Sequence, residues 1–201
     1  DIKPPHSILC ECSGGIGIDH NQNIYLCASD FSCPNDVLMF RYNTKSEARE
    51  LLGTLRGISL AEGNLGPNQY WHYEESFAKV HVSILEHDGK MYFASHDFRD
   101  FGISLRNIHK RMKKRRGAHF YSFDLKRQIF EDLSKTDDFG VSIRHQGVIA
   151  MDILREQKKL VGLTFPFGDI LIYDFDKKKT RCYTGVAIYR DDHDVNVTRQ
   201  I

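Results

Sequence analysis

Long hydrophobic runs are missing from this chain. No apolar stretch in its 201 residues approaches the roughly 20 that a helix needs to cross a bilayer, so no membrane partner is expected. Cysteine is sparse: five residues (Cys10, Cys12, Cys27, Cys33 and Cys182) with no CxxC pair. That gives neither a disulfide framework nor a zinc-ribbon signature. Cys10, Cys12, Cys27 and Cys33 could form a soft metal site with a histidine, but their spacing is not diagnostic and they are read as free thiols. An excess of one charge is also lacking. Lys plus Arg number 28 and Asp plus Glu 27, a formal net charge of +1, so only a local patch could attract a polyanion. Low complexity is absent, because aromatic and β-branched residues run along the whole length; this excludes a disordered chain. The chain begins with Asp1 and shows no signal-peptide pattern, and is expected to be a processed product or a piece of something longer.

What is present is a repeat. Ile24-Tyr-Leu-Cys-Ala-Ser-Asp30, Met91-Tyr-Phe-Ala-Ser-His-Asp97 and Leu160-Val-Gly-Leu-Thr-Phe-Pro166 align, with starts 67 and 69 residues apart. A polar turn precedes each: Asp19-His-Asn-Gln-Asn23, Glu86-His-Asp-Gly-Lys90 and Arg155-Glu-Gln-Lys-Lys159. An alternating strand follows each, over residues 37–43, 119–125 and 170–176, and a short strand closes the unit at 48–55, 129–133 and 180–183. The unit is therefore four short strands, A to D, joined by tight turns. The fold class predicted is all-β: a β-propeller of four-stranded antiparallel blades over residues 14–56, 78–134 and 147–184, with the start of another after Gly185. A β-sandwich of similar meanders is the alternative, disfavoured because strand order and turn positions recur three times. Propellers close with typically 4–8 blades, so three predict an incomplete ring. The missing blades are assigned first to a longer parent chain and second to another copy.

Strands that run up and down put the start of A, the end of B and the start of C at one end of the unit. His81, His96 and His119 fall there in the second unit, His72 just before it and His145 just before the third. His20 and His87 fall in A–B turns at the other end and are read as solvated. The repeat supplies a control: His81 aligns with Gly14 and Ala150, His96 with Ser29 and Phe165, and His119 with Val37 and Ile170. The scaffold does not demand imidazole at these positions. Each histidine taken singly could be a buried, hydrogen-bonded structural residue; three in one unit point to a base, an acid or a metal ligand. His119 and His145 are the candidate ligands for a divalent metal ion.

The second unit also carries the longest insertion, residues 98–117, with the basic run Lys110-Arg-Met-Lys-Lys-Arg-Arg116. Such a run is commonly a solvated surface. Beside the histidines it has a second reading, a collar in which Lys113 and Arg115 bind an acidic oligo- or polysaccharide. Nucleic acid is disfavoured, since the run has no interleaved aromatics and no binding motif. Trp71 and Tyr73, in the connection before the second unit, either anchor that loop or form a platform on which a sugar ring stacks.

Lys79-Val-His81, Asp88-Gly-Lys-Met-Tyr-Phe93 with His96, Gly117-Ala-His-Phe120, Phe123-Asp-Leu125, Gly162-Leu-Thr-Phe-Pro166 and Ile172-Tyr-Asp174 form an ordered signature. Over about residues 77–185 it resembles a group of uncharacterised bacterial seven-bladed propeller proteins, distantly similar to the propeller polysaccharide lyases, ulvan and oligogalacturonate lyases among them. In those lyases a pair of histidines works with a tyrosine and an arginine. His81 and His96 match the pair; the tyrosine and arginine have no secure match. The chain departs from both groups in its length, short of a full ring, and in its basic insertion.

The resemblance implies β-elimination at a uronic acid. An arginine or metal neutralises the carboxylate, a base takes the proton beside it, and an acid protonates the departing glycosidic oxygen. His81 and His96 are the candidate base and acid, and Arg144 the candidate carboxylate partner. A periplasmic or secreted location would follow from activity on carbohydrate. The alternative is a non-catalytic propeller that binds a glycan or a protein, with the histidines as polar packing.

Overall fold

The computed structural model describes residues 10–11, 15–30, 36–65, 77, 79–96 and 116–184. It is mostly strand, in three successive antiparallel meanders. In the first, β1 (Cys10–Glu11) and β2 (Ile16–Ile18) both pair with β3 (Asn23–Asp30), which continues to β4 (Asp36–Asn43) and β5 (Arg49–Thr54). The second runs through β6 (Leu85–His87), β7 (Lys90–Ala94), β9 (Phe120–Asp124) and β10 (Ile129–Asp132), with a small ribbon of β8 (Gly117–Ala118) and β11 (Ile143–Arg144) beside it. The third holds β12 (Gly147–Leu154), β13 (Lys159–Phe165), β14 (Ile170–Asp174) and β15 (Lys179–Tyr183). The sheet repeat read from the sequence is therefore present, as four-position, all-antiparallel units.

Register confirms the spacing. The B–C pairs Asn23↔Asn43, Lys90↔Asp124 and Lys159↔Asp174 are equivalent, and their first members lie 67 and 69 residues apart. The C–D turns share one chemistry. Oδ1 of Asn43 accepts the amides of Lys45 and Ser46, Oδ1 of Asp124 those of Lys126 and Arg127, and Oδ1 of Asp174 those of Asp176 and Lys177. Each is a side-chain mimic of a backbone turn. Each turn then passes through a left-handed residue: Glu47 at φ 57°, Gln128 at 57° and Lys178 at 52°. The amides, led by those of Arg127 and Lys177, hold the Asp124 and Asp174 carboxyls below their ordinary range.

Aligning the units on these turns shifts strand C by one residue. His119 corresponds to Leu38 and Asp169 rather than to Val37 and Ile170, because strand C begins at different heights in the three sheets while its end is fixed by the turn. Strand A is irregular at the same level in every unit. It breaks between β1 and β2, it is reduced to the single bridge Lys79↔His96 ahead of β6, and it carries a bulge between Val148 and Ala150. His81 lies two residues beyond that bridge, so it aligns with Ile149 in the bulge rather than with Ala150.

Period-2 alternation gives each sheet two faces, one turned forward along the chain and one backward. Forward residues of the first sheet pack on backward residues of the second: the Tyr25 ring lies 6.1 Å from Phe123, and a Cβ on Gly53 would meet Phe130 at 3.2 Å. The second packs on the third in the same way, with Tyr92 5.0 Å from Phe175 and Phe120 against Gly162. Met91, Phe93, Tyr121, Phe123, Leu160 and Leu171 are wholly or almost wholly buried in these layers. Each such side chain contributes roughly 1.5–3 kcal/mol of transfer free energy. The inner strands also touch: a Cβ on Gly17 would fall 2.0 Å from the carbonyl oxygen of Ile84, so only glycine permits that approach.

Two expectations are corrected. Strand D of the first unit ends at Thr54 and the chain turns into α1 (Leu55–Ala61), a helix the alternating pattern concealed; Thr54 caps it by accepting the Gly57 amide at 3.0 Å. His87 is buried rather than solvated, because its ring stacks on Phe175 with centroids 5.2 Å apart. His20 is exposed as expected, and its ring and amide both bond the Glu86 carboxylate at 2.6 Å. Arg155 completes a tie across all three A–B turns by donating to the Glu86 carbonyl at 3.0 Å.

Candidate functional site

At the opposite end, the chain leaves β7 at Ala94 and pairs once more through His96, whose amide donates to the Lys79 carbonyl at 2.7 Å while the Lys79 amide donates back at 3.1 Å. That bridge fixes two histidines, His81 and His96. His81 comes to lie beside His96, ring centroids 4.7 Å apart and planes at 85°, edge to face. His96 is 3% exposed and His81 half-buried, so the pair presents His81 outward and His96 inward. The third sheet closes the inner side. The Phe165 ring lies 6.0 Å from His96, and a Cβ on Gly147 would fall 2.1 Å from its Nδ1. The first residue of β12 has to be glycine for the imidazole to fit.

His119 is at the same end of the second sheet but on its other side, and it is 0% exposed. It sits between β8 and β9, where its amide donates to Ser95 Oγ and its carbonyl accepts the Ser95 amide, both at 2.9 Å. Its ring stacks on Tyr121 at 5.7 Å, and its Nδ1 lies 2.9 Å from Oδ2 of Asp132. The same oxygen accepts from Ser59 Oγ at 2.8 Å and Asn64 Nδ2 at 2.9 Å, while Oδ1 accepts the Ser134 amide at 3.0 Å. Ser59 spends its one proton on Asp132, so the Tyr121 hydroxyl, 3.0 Å away, donates to Ser59. Burial would raise the Asp132 carboxyl, but the charge of His119 and the bonds from His119, Ser59 and Asn64 outweigh it and hold it below 3.8. This network latches α1 and the segment after it onto the second sheet.

Arg144 is exposed on β11, its guanidinium carbon 4.1 Å above the centre of the Phe139 ring. His145 follows with a left-handed backbone, φ 61°, and its amide donates to the Arg116 carbonyl at 3.1 Å. The fold thus brings His81 and His96 together, and turns His119 away from them toward Asp132. Among the described residues no three His, Cys, Asp or Glu side chains converge as a metal site, so His119 and His145 are not joined by a third ligand. Cys27 is buried and Cys182 exposed, and neither forms a disulfide. Trp71, His72, Tyr73, Lys113 and Arg115, with Cys12 and Cys33, lie outside the described residues.

Asp132, Ser59 and Gly147 escaped the sequence reading. Asp132 closes a strand like any turn carboxylate, and Ser59 sits in the overlooked helix. Gly147 had a signal: it stands opposite Phe165, the repeat equivalent of His96. Compared with known proteins, the chain matches no family model and no curated relative.

Proposed function

We propose that the three sheets are blades of a β-propeller and that its histidine end performs β-elimination on a uronate-containing polysaccharide. The observation that carries this is the edge-to-face pair of His81 and His96, one ring half-exposed and the other locked behind it, at positions where the repeat puts no second imidazole. Support for the propeller comes from three antiparallel meanders of the same strand order, stacked face to face, with the inner strands of the first two in contact.

In this reading His81 takes the proton from the carbon next to the uronate carboxylate. The electron pair becomes a carbon–carbon double bond, the glycosidic bond breaks, and the imidazolium of the pair returns a proton to the departing oxygen. His96 positions His81 and shares its proton. Arg144, exposed at the same end, is the group to neutralise the carboxylate. No metal is used in these steps.

The second reading, a non-catalytic module that binds a glycan or protein, is favoured by the burial of His96 and the commitment of His119 to Asp132. Ultraviolet absorbance of unsaturated product, followed on a panel of uronic-acid polysaccharides, separates the two. The lyase reading expects a rise that His81→Ala abolishes. No rise on any substrate, with saturable binding retained, replaces it by the binding module.

A further inference from the structure

Phe139 stands in a backbone conformation that its side chain resists. It is left-handed, φ 63° and ψ 9°, and Gly140 follows at φ 67°. A bulky residue is held there at a cost, and persists only where its surroundings over-determine it. Here they do so through the backbone. The Phe139 carbonyl accepts Nε and a terminal nitrogen of Arg116 at 3.0 and 2.6 Å. The Gly140 carbonyl accepts Asn64 Nδ2 at 2.8 Å, and the Gly140 amide donates to the Asp137 carbonyl at 2.9 Å. This clamp does not bury the ring, which is 65% exposed.

The ring instead carries Arg144, whose guanidinium carbon lies 4.1 Å above its centre. Among the described residues Arg144 makes no hydrogen bond or ion pair. An aromatic face attracts a cation through its quadrupole and offers the guanidinium no oxygen, so the five N–H donors remain unspent. Asp138, the neighbour of Phe139, lies 3.8 Å from Lys179 instead. Arg144 also stands three residues before Gly147, the glycine that abuts the His96 ring.

We infer that Phe139 is a positioning residue: its clamped, exposed ring holds the Arg144 guanidinium ready for the carboxylate of an acidic sugar. The inference rests on the proposed function for the uronate and not for the elimination step. A planar carboxylate takes a guanidinium by two parallel hydrogen bonds. Holding that guanidinium beforehand reduces the side-chain freedom lost on binding.

Calorimetry tests it on the His81→Ala protein, in which no probe is consumed, with circular dichroism to verify folding. The probes are oligosaccharides of galacturonate and of glucuronate, each beside its carboxyl-reduced, neutral counterpart. Arg144→Ala is expected to remove the preference for the acid. Phe139→Leu keeps the apolar bulk and lacks the ring's field; it weakens binding of the acid about 2–5-fold and leaves the neutral probe unchanged. Phe139→Tyr restores the acid. Equal weakening of both probes by Phe139→Leu, or none, overturns the positioning role, as does a parent protein that prefers neither acid to its neutral counterpart. This pattern without unsaturated product from the unmutated protein faults the elimination alone and supports the inference.

Discussion

Gly147 and His96 share a space that only one of them can fill: a methyl on the glycine would stand 2.1 Å from the imidazole Nδ1. Gly147→Ala therefore costs about 1–3 kcal/mol through overpacking. In a chain of this size that lowers Tm by roughly 2–4 °C per kcal/mol. Combined with His96→Ala, which empties the space, most of that loss disappears. A thermal-unfolding double-mutant cycle measures the coupling; additive losses would mean that the two positions do not meet.

Asp132 serves four donors. Asp132→Ala takes a buried acceptor from His119, Ser59 and Asn64 and costs about 3–5 kcal/mol, as breaking a buried pair does. Denaturant unfolding reads the loss as a lower midpoint.

The pH dependence of that carboxyl has a definite sign. Folding holds it below its ordinary value of 3.8, so it binds a proton less readily folded than unfolded. Its stabilisation is complete above that value and is lost as pH falls through the lower folded one. Asp132→Asn removes this part of the acid slope, and unfolding midpoints taken from pH 6 down to about pH 2 show a flatter profile for the variant.

Met91 is wholly buried between the first two sheets. Met91→Ala leaves a cavity and costs about 2–5 kcal/mol, with the mutant's m-value unchanged in denaturant titrations.

Lys178 turns left-handed at φ 52° directly before β15, and its side chain is exposed. Lys178→Gly relieves a conformation that L-residues resist, and after the entropy of glycine is subtracted the gain is about 0.5–1 kcal/mol. A Tm unchanged or lowered would show that the turn carries no such strain.

The sheets were legible because their signals are local. Alternation marks the strands, and the polar turns at 19–23, 86–90 and 155–159 punctuate them, so element order and spacing emerged together. The site was legible only in part. His81 and His96 meet through a backbone bridge between residues 17 apart, which the repeat alignment anticipates. The side of the sheet on which His119 points was not legible, because a one-residue shift in strand C reverses it. Nor was α1: Thr54, Leu55 and Ile58 carry a cap and a helical spacing, but over seven residues these compete with the end of a strand. His87 misled for a related reason, since a turn position says nothing of an aromatic ring arriving from the next sheet.

The tie of Glu86 to Arg155 joins the second and third sheets at one end, a guanidinium donating to a backbone carbonyl at 3.0 Å. At the other end the Val148 amide donates to the Ser95 carbonyl at 3.2 Å, and the imidazole of His96 fills the space against Gly147 beside that bond. The ring at position 96 is thus confined between two bonded ends: a slimmer side chain there leaves a void that the Ser95–Val148 bond keeps from closing, and a bulkier one strains that bond.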